Sequence, residues 1–145
     1  RGDVFRQAAL KALDTLSRNP DGFFLMIEGS NIDKAAHSNN LEEMMEELLD
    51  FDRTAGAVLD WASKHPGTLV VITADHNTGA FALTGGSREK GEITARFGSG
   101  SHDGVAVPVY AFGAGSGAFT GIYENTAIFS KIMDAFKKGA GKPVR

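Results

Sequence analysis

Six side chains able to bind a cation fall in three short stretches of the 145-residue chain: Glu28, Asp33 and His37; Asp75 and His76; and His102. Asp33 and His37 stand four apart, so one helical turn through 33–37 would set a carboxylate and an imidazole on the same face. Such a pair can grip one ion, although the same spacing is also found on exposed helices that bind nothing. The stretch "TADH" (73–76) places an aspartate and a histidine at the end of an apolar run. A charge buried there is costly unless it is paired or metal-bound; a strand-end aspartate capping a turn is the plainer alternative. His102 lies in "GSGSHDG" (98–104), whose small residues either let the backbone approach a ligand or make a flexible loop. His65 is a contrasting case. It closes a long apolar-striped segment just before Pro66, where an imidazole interacts favourably with a helix dipole, and it reads as structural.

The chain has no cysteine, which removes disulfides and thiolate metal sites and leaves nitrogen and oxygen donors. His and Asp donors suit zinc, and an isolated acid such as Glu28 suits a harder ion such as magnesium. Two zinc ions ~3.5–4 Å apart are a known device for stabilising the attacking and leaving oxygens of phosphate displacement. A net charge of −3 provides no basic field for nucleic acid. No apolar run approaches the ~20 residues of a membrane span. The opening Arg1-Gly2-Asp3 has the look of a cut end, so a targeting segment is not legible.

The elements that must carry these residues follow from periodicity. Val4, Phe5, Ala8, Ala9, Ala12, Leu13 and Leu16 predict a first helix with Asp3 as its N-cap, stopped by "RNPDG" (18–22). "FFLMIE" (23–28) does not alternate and predicts a strand buried on both faces. Leu41 to Lys64 predicts a long helix with an acidic start. "TLVVITAD" (68–75) predicts a second fully buried strand, with shorter strands at 80–83, 92–97 and 106–112. Ile128, Ile132 and Phe136 mark a last helix, and 137–145 read as a solvated tail. This order predicts an α/β fold with strands 23–28 and 68–75 central and parallel. Ligands in such sheets sit at the carboxyl ends of the strands, the places held by Glu28 and by Asp75 and His76.

"FFLMIEGSNIDKAAH" (23–37), "LVVITADH" (69–76) and "GSHDGVAVPVYAFG" (100–113), in that order, resemble the C-terminal half of bacterial alkaline phosphatases. The resemblance covers nearly the whole chain. It implies a three-layer α/β sandwich with a mostly parallel central sheet, present as its C-terminal part, with an ordered core over 1–136. It also implies that Asp33, His37 and His102 ligate a first zinc, Asp75 and His76 a second, and Glu28 a neighbouring magnesium. Lys34 takes the place of a lysine that reaches phosphate through water. Members of the family hydrolyse phosphate monoesters through a phosphoserine; the resemblance implies a periplasmic or secreted protein and allows a homodimer.

The family's serine nucleophile, its phosphate-clamping arginine and its remaining metal ligands lie in a preceding half with no convincing match here. Ser30 and Ser101 adjoin candidate ligands, but they lack the Asp-Ser context and are not expected to open a helix. The chain alone is therefore expected to lack turnover, and two ligands are too few to close the second zinc site. Asn77-Thr78 stand where several members carry another histidine nearby, and Asp103 where threonine is frequent. These departures bear on how the ligands are held. The alternatives are another hydrolase or transferase of the wider fold (a phosphodiesterase, sulfatase or phosphoglycerate mutase) or a metal-binding piece without turnover. The partners implied are a phosphate monoester and the missing N-terminal half, with neither nucleic acid nor a membrane span.

Overall fold

The computed structural model describes residues 2–139. They divide into two compact units: one from the segments up to Ile27, Arg53–Thr73 and from Pro108 on, the other from Glu28–Asp52 and Ala74–Val107.

The first unit contains helix α1 (Val4–Leu16), which buries Ala9 and Leu13 on one face, as the spacing of its apolar residues requires. Asp3 stands at the N-cap position, but its side chain does not cap. It binds the Arg6 guanidinium through two contacts of 2.7 Å, and Gln7, so that Arg6 holds its carboxyl down at about 2. The second half of α3 (Leu41–Ser63) buries Ala62 here, and Trp61 meets Phe23 edge-on. His65 lies with its Nδ1 2.7 Å from the Trp61 carbonyl and its ring stacked on Trp61, the structural role expected of it. Strand β1 (Leu69–Thr73) pairs antiparallel with β6 (Val109–Gly113), in a register running from Leu69 opposite Gly113 to Thr73 opposite Val109. A short 3-10 turn, Ser116–Phe119, buries Phe119, and α4 (Ala127–Gly139) follows. The solvated tail expected from 137 thus begins inside a helix, and residues 140–145 lie outside the described residues.

Two expectations need correction. Among the described residues every ladder is antiparallel, so 23–28 and 68–75 do not form a parallel pair, and β1 is only half-buried. The run 23–28 forms no ladder at all. Its burial alternates residue by residue, with Phe24 62% and Met26 68% exposed. An unbroken apolar run encodes two buried faces, but a strand exists only when a neighbour takes up its N–H and C=O groups. No described residue does so here. An exposed apolar strip of this kind should bind a hydrophobic dye such as ANS. We expect Phe24→Ser combined with Met26→Ser to lower that fluorescence; an unchanged signal would mean that the strip is covered in solution.

The second unit contains helix α2 (Ser30–His37), the first half of α3, and two short β segments besides the hairpin β3 (Ala82–Ser87) with β4 (Glu92–Arg96). Its core is Ala35, Ala36 and Met44, packed with Ile32, Leu41, Phe81 and Phe97. Small alanines on α2 let that helix come close to α3, and the Asn31 amide reaches Glu47 across them. Strands β2 (Asn77–Thr78) and β5 (His102–Asp103) are two residues each and pair antiparallel. Together with α2 they carry Asp33, His37 and His102.

Candidate metal centre

Helix α2 begins at Ser30, directly after Gly29 ends the extended run. Ser30 therefore opens a helix after all. The sequence hid this because the only helical signal in 30–37 is a short one broken by polar residues. The helix makes the Asp33–His37 spacing effective: Asp33 lies in the first turn, where the dipole favours a carboxylate, and His37 one turn on. Across from them, the β2–β5 pair sets Thr78 opposite His102.

Asp33, His37 and His102 converge. His37 Nε2 lies 3.0 Å from His102 Nε2 and 3.4 Å from Asp33 Oδ2, and His102 Nε2 lies 3.6 Å from Asp33 Oδ1. Atoms bonded at ~2.0–2.1 Å to one tetrahedral zinc stand ~3.3 Å apart; these separations, which use both Asp33 oxygens, lie near that spacing, and with one atom from each residue all three fall within 4.8 Å of one another.

The hydrogen bonds around the triad fix which nitrogens face inward. His37 Nδ1 lies 2.7 Å from the Gly100 carbonyl, which can only accept, so this nitrogen carries the proton and Nε2 presents a lone pair. The approach depends on glycine: a Cβ on Gly100 would stand 3.1 Å from the His37 carbonyl oxygen. On the other side, the Thr78 hydroxyl donates to Asp33 Oδ1 at 2.6 Å. Its oxygen is then left to accept from His76 Nδ1, 3.2 Å away, which turns His76 Nε2 into a lone-pair donor as well. Lone pairs meeting in this way form a donor set that a cation could bridge.

His76 stacks on His102 with ring centroids 3.6 Å apart, so the second candidate pair adjoins the first. Asp75 is exposed, with its carboxylate 3.2 Å from His76 Nε2. Glu28 is also exposed and stands outside the triad. Lys34, on the exposed side of α2, donates to Asn31 Oδ1 at 3.3 Å.

Two residues that sequence reading noted only as departures prove to be structural parts of the site. Thr78, 7% exposed, links Asp33 to His76. Asp103 takes up donors from three places in the chain, and the Val105 amide, with Asn77 and Ala80, holds its carboxyl below the ordinary carboxylate range. No local pattern marked either residue, because Asp103 meets Asn77 26 residues away and Thr78 meets Asp33 45 residues away.

The family model for alkaline phosphatase matches residues 5–98. Alkaline phosphatase 4 of Bacillus subtilis is 45% identical over 85 residues, covering 59% of this chain and 18% of its own length. Alkaline phosphatase of Escherichia coli K12 is 31% identical over 141 residues, covering 86% of this chain and 30% of its own. Among solved structures, alkaline phosphatase from the Antarctic bacterium TAB5 superposes with a TM-score of 0.87 at 40% identity, over 94% of this chain and 42% of that one. A variant of the same enzyme is described with Mg bound in its M3 site. The chain thus spans less than half the length of these relatives, and its α/β architecture is that of part of their fold. No helix among the described residues is long and apolar enough to cross a membrane. This chain belongs to the alkaline phosphatase family.

Proposed function

We propose that this chain supplies most of the metal-holding apparatus of a phosphate monoester hydrolase. Asp33, His37 and His102 would hold one zinc ion, Asp75 and His76 would contribute to a second, and Glu28 would offer its carboxylate to magnesium. The observation that carries this reading is the triad geometry: separations of 3.0, 3.4 and 3.6 Å, with the Gly100 carbonyl turning His37 Nε2 inward. When bound, the zinc ions would stabilise charge on the attacking and leaving oxygens. The chain's own groups orient the ligands. The Gly100 carbonyl and the Thr78 hydroxyl fix the tautomers of His37 and His76 and the rotamer of Asp33. Lys34 supplies an exposed ammonium one residue from a ligand, placed to attract phosphate.

The nucleophile is not assigned within this chain. Ser30 opens α2, but Glu28 and Gly29 precede it rather than an aspartate, and Ser101 sits in the loop before β5. We infer that the serine and the phosphate-binding arginine come from a segment outside these residues, which the greater length of the relatives supports.

The test is a chimera in which this chain replaces the matching segment of the TAB5 enzyme, assayed on an aryl phosphate at alkaline pH with zinc and magnesium. We expect chelator-sensitive turnover by the chimera and none above background by the chain alone, because groups that act as a unit fail as a unit. A folded chimera without activity would overturn the reading, as would chelator-sensitive turnover by the chain alone.

A further inference from the structure

Asp103 sits beside a candidate ligand and is itself an acid, yet it does not join the triad. Neighbouring residues of a strand point to opposite faces, so with His102 turned toward Asp33, Asp103 points away. There its carboxylate is occupied by N–H donors. The Asn77 amide lies 2.9 Å from Oδ2 and 3.1 Å from Oδ1. The Ala80 amide donates to Oδ2 at 3.0 Å, and the Val105 amide to Oδ1 at 3.1 Å.

These contacts fall where the backbone is weakest. The β2–β5 ladder holds only two residue pairs, Asn77 with Asp103 and Thr78 with His102, far too few to fix a register by themselves. Just beyond β2, Ala80 stands at φ 46°, a left-handed conformation that a residue with a Cβ rarely adopts. One carboxylate therefore ties together β2, the strained turn after it and the chain leaving β5. The imidazoles that depend on that register are His102, opposite Thr78, and His76, one residue before Asn77; their rings stack at 3.6 Å.

We propose that Asp103 is a positioning residue: its carboxylate clamps Asn77, Ala80 and Val105, and so holds His102 and His76 in the register that the metal site requires. This rests on the metal reading of the triad, and two measurements on the 145-residue chain separate the two. The first needs no metal: hydrogen exchange of the Ala80 and Val105 amides in excess chelator. Both amides should be protected in the wild type and exchange faster in Asp103→Asn, whose amide nitrogen can only face the same donors. The second is zinc affinity, by competition with a chromophoric chelator. Asp103→Asn should bind zinc about ten- to a hundredfold more weakly, the usual effect of removing a group that orients a ligand. Asn77→Ala, which leaves both backbone donors in place, should lose less. With cobalt(II) in place of zinc, the visible spectrum of Asp103→Asn should also change shape, because a displaced imidazole alters the ligand field.

Met44→Ala is the control, destabilising the same unit through its core without touching the clamp. Equal weakening by Met44→Ala would mean that lost stability, not position, is being read, and would overturn the proposal. Wild-type zinc binding that Asp103→Asn leaves unchanged would overturn the clamp alone. A wild-type chain that binds no zinc, but whose Ala80 and Val105 amides lose protection in Asp103→Asn, would keep the clamp as a fold device and overturn the metal reading.

Discussion

His37→Ala should reduce the zinc affinity of this chain by at least about a hundredfold. The substitution removes one of three convergent donors, and with it the pull that the Gly100 carbonyl exerts on the ring. Structural zinc sites bind with about 10–16 kcal/mol shared over four ligands, so each donor is worth about 3 kcal/mol. At 1.4 kcal/mol per tenfold, that is roughly two decades of affinity. Asp33→Ala should do as much or more, since it takes away the only carboxylate of the triad and also leaves the Thr78 hydroxyl without its acceptor. His65→Ala is the comparison. It deletes an imidazole of the same chemistry, but one stacked on Trp61 and bonded to a helix carbonyl. It should leave zinc affinity unchanged while costing stability of order 1 kcal/mol. Competition titration of the three variants settles the assignment. Similar zinc binding by His37→Ala and the wild type would remove His37 from the ligand set.

The second large effect concerns stability rather than metal. Gly113→Ala should destabilise the first unit by about 3 kcal/mol. Gly113 ends β6 at φ 89°, and a Cβ there would run into the backbone carbonyl oxygen of Thr68. That oxygen accepts the Ala114 amide at 3.0 Å, so it cannot retreat without breaking the bond that closes the β1–β6 ladder. Both the strained backbone and the lost hydrogen bond fall on the same substitution. Trp61, the single tryptophan, belongs to this unit, so its fluorescence during urea unfolding reports the change directly. Gly117→Ala, in the 3-10 turn with open space around it, should lie within about 0.5 kcal/mol of the wild type. A Gly113→Ala variant as stable as Gly117→Ala would show that this end of β6 relaxes freely.

What the sequence disclosed, and what it did not, divides along physical lines. Helix α3 was legible because its apolar stripe runs unbroken for six turns and its acids crowd the first one. The triad was legible through the resemblance, because the helical spacing of Asp33 and His37 and the glycine-rich loop around His102 each had a plainer reading by themselves. The run 23–28 was misread in one respect. Apolar character reports what a segment can bury, while pairing depends on a neighbour that its own letters do not name. Helix α2 was seen only as a possible turn because eight residues with five polar side chains carry too little period to place a start. Asp103 and Thr78 were visible but mute. Their roles come from partners 26 and 45 residues away, and no local pattern encodes a contact of that range.

The distance along the chain between His37 and His102 has a kinetic meaning. Their Nε2 atoms are 3.0 Å apart in space and 65 residues apart in sequence. A cation held by both would close a loop of that length, a constraint that in a disulfide is worth about 4 kcal/mol of lost chain entropy. Such a closure cannot nucleate folding, because the entropy of bringing the ends together must be met by other contacts first. Helix α2, the β2–β5 pair and the carboxylate of Asp103 must therefore be in place before the three donors can meet. Occupancy of the triad would then mark the end of the folding path, and a bound ion would slow the first step of the way back.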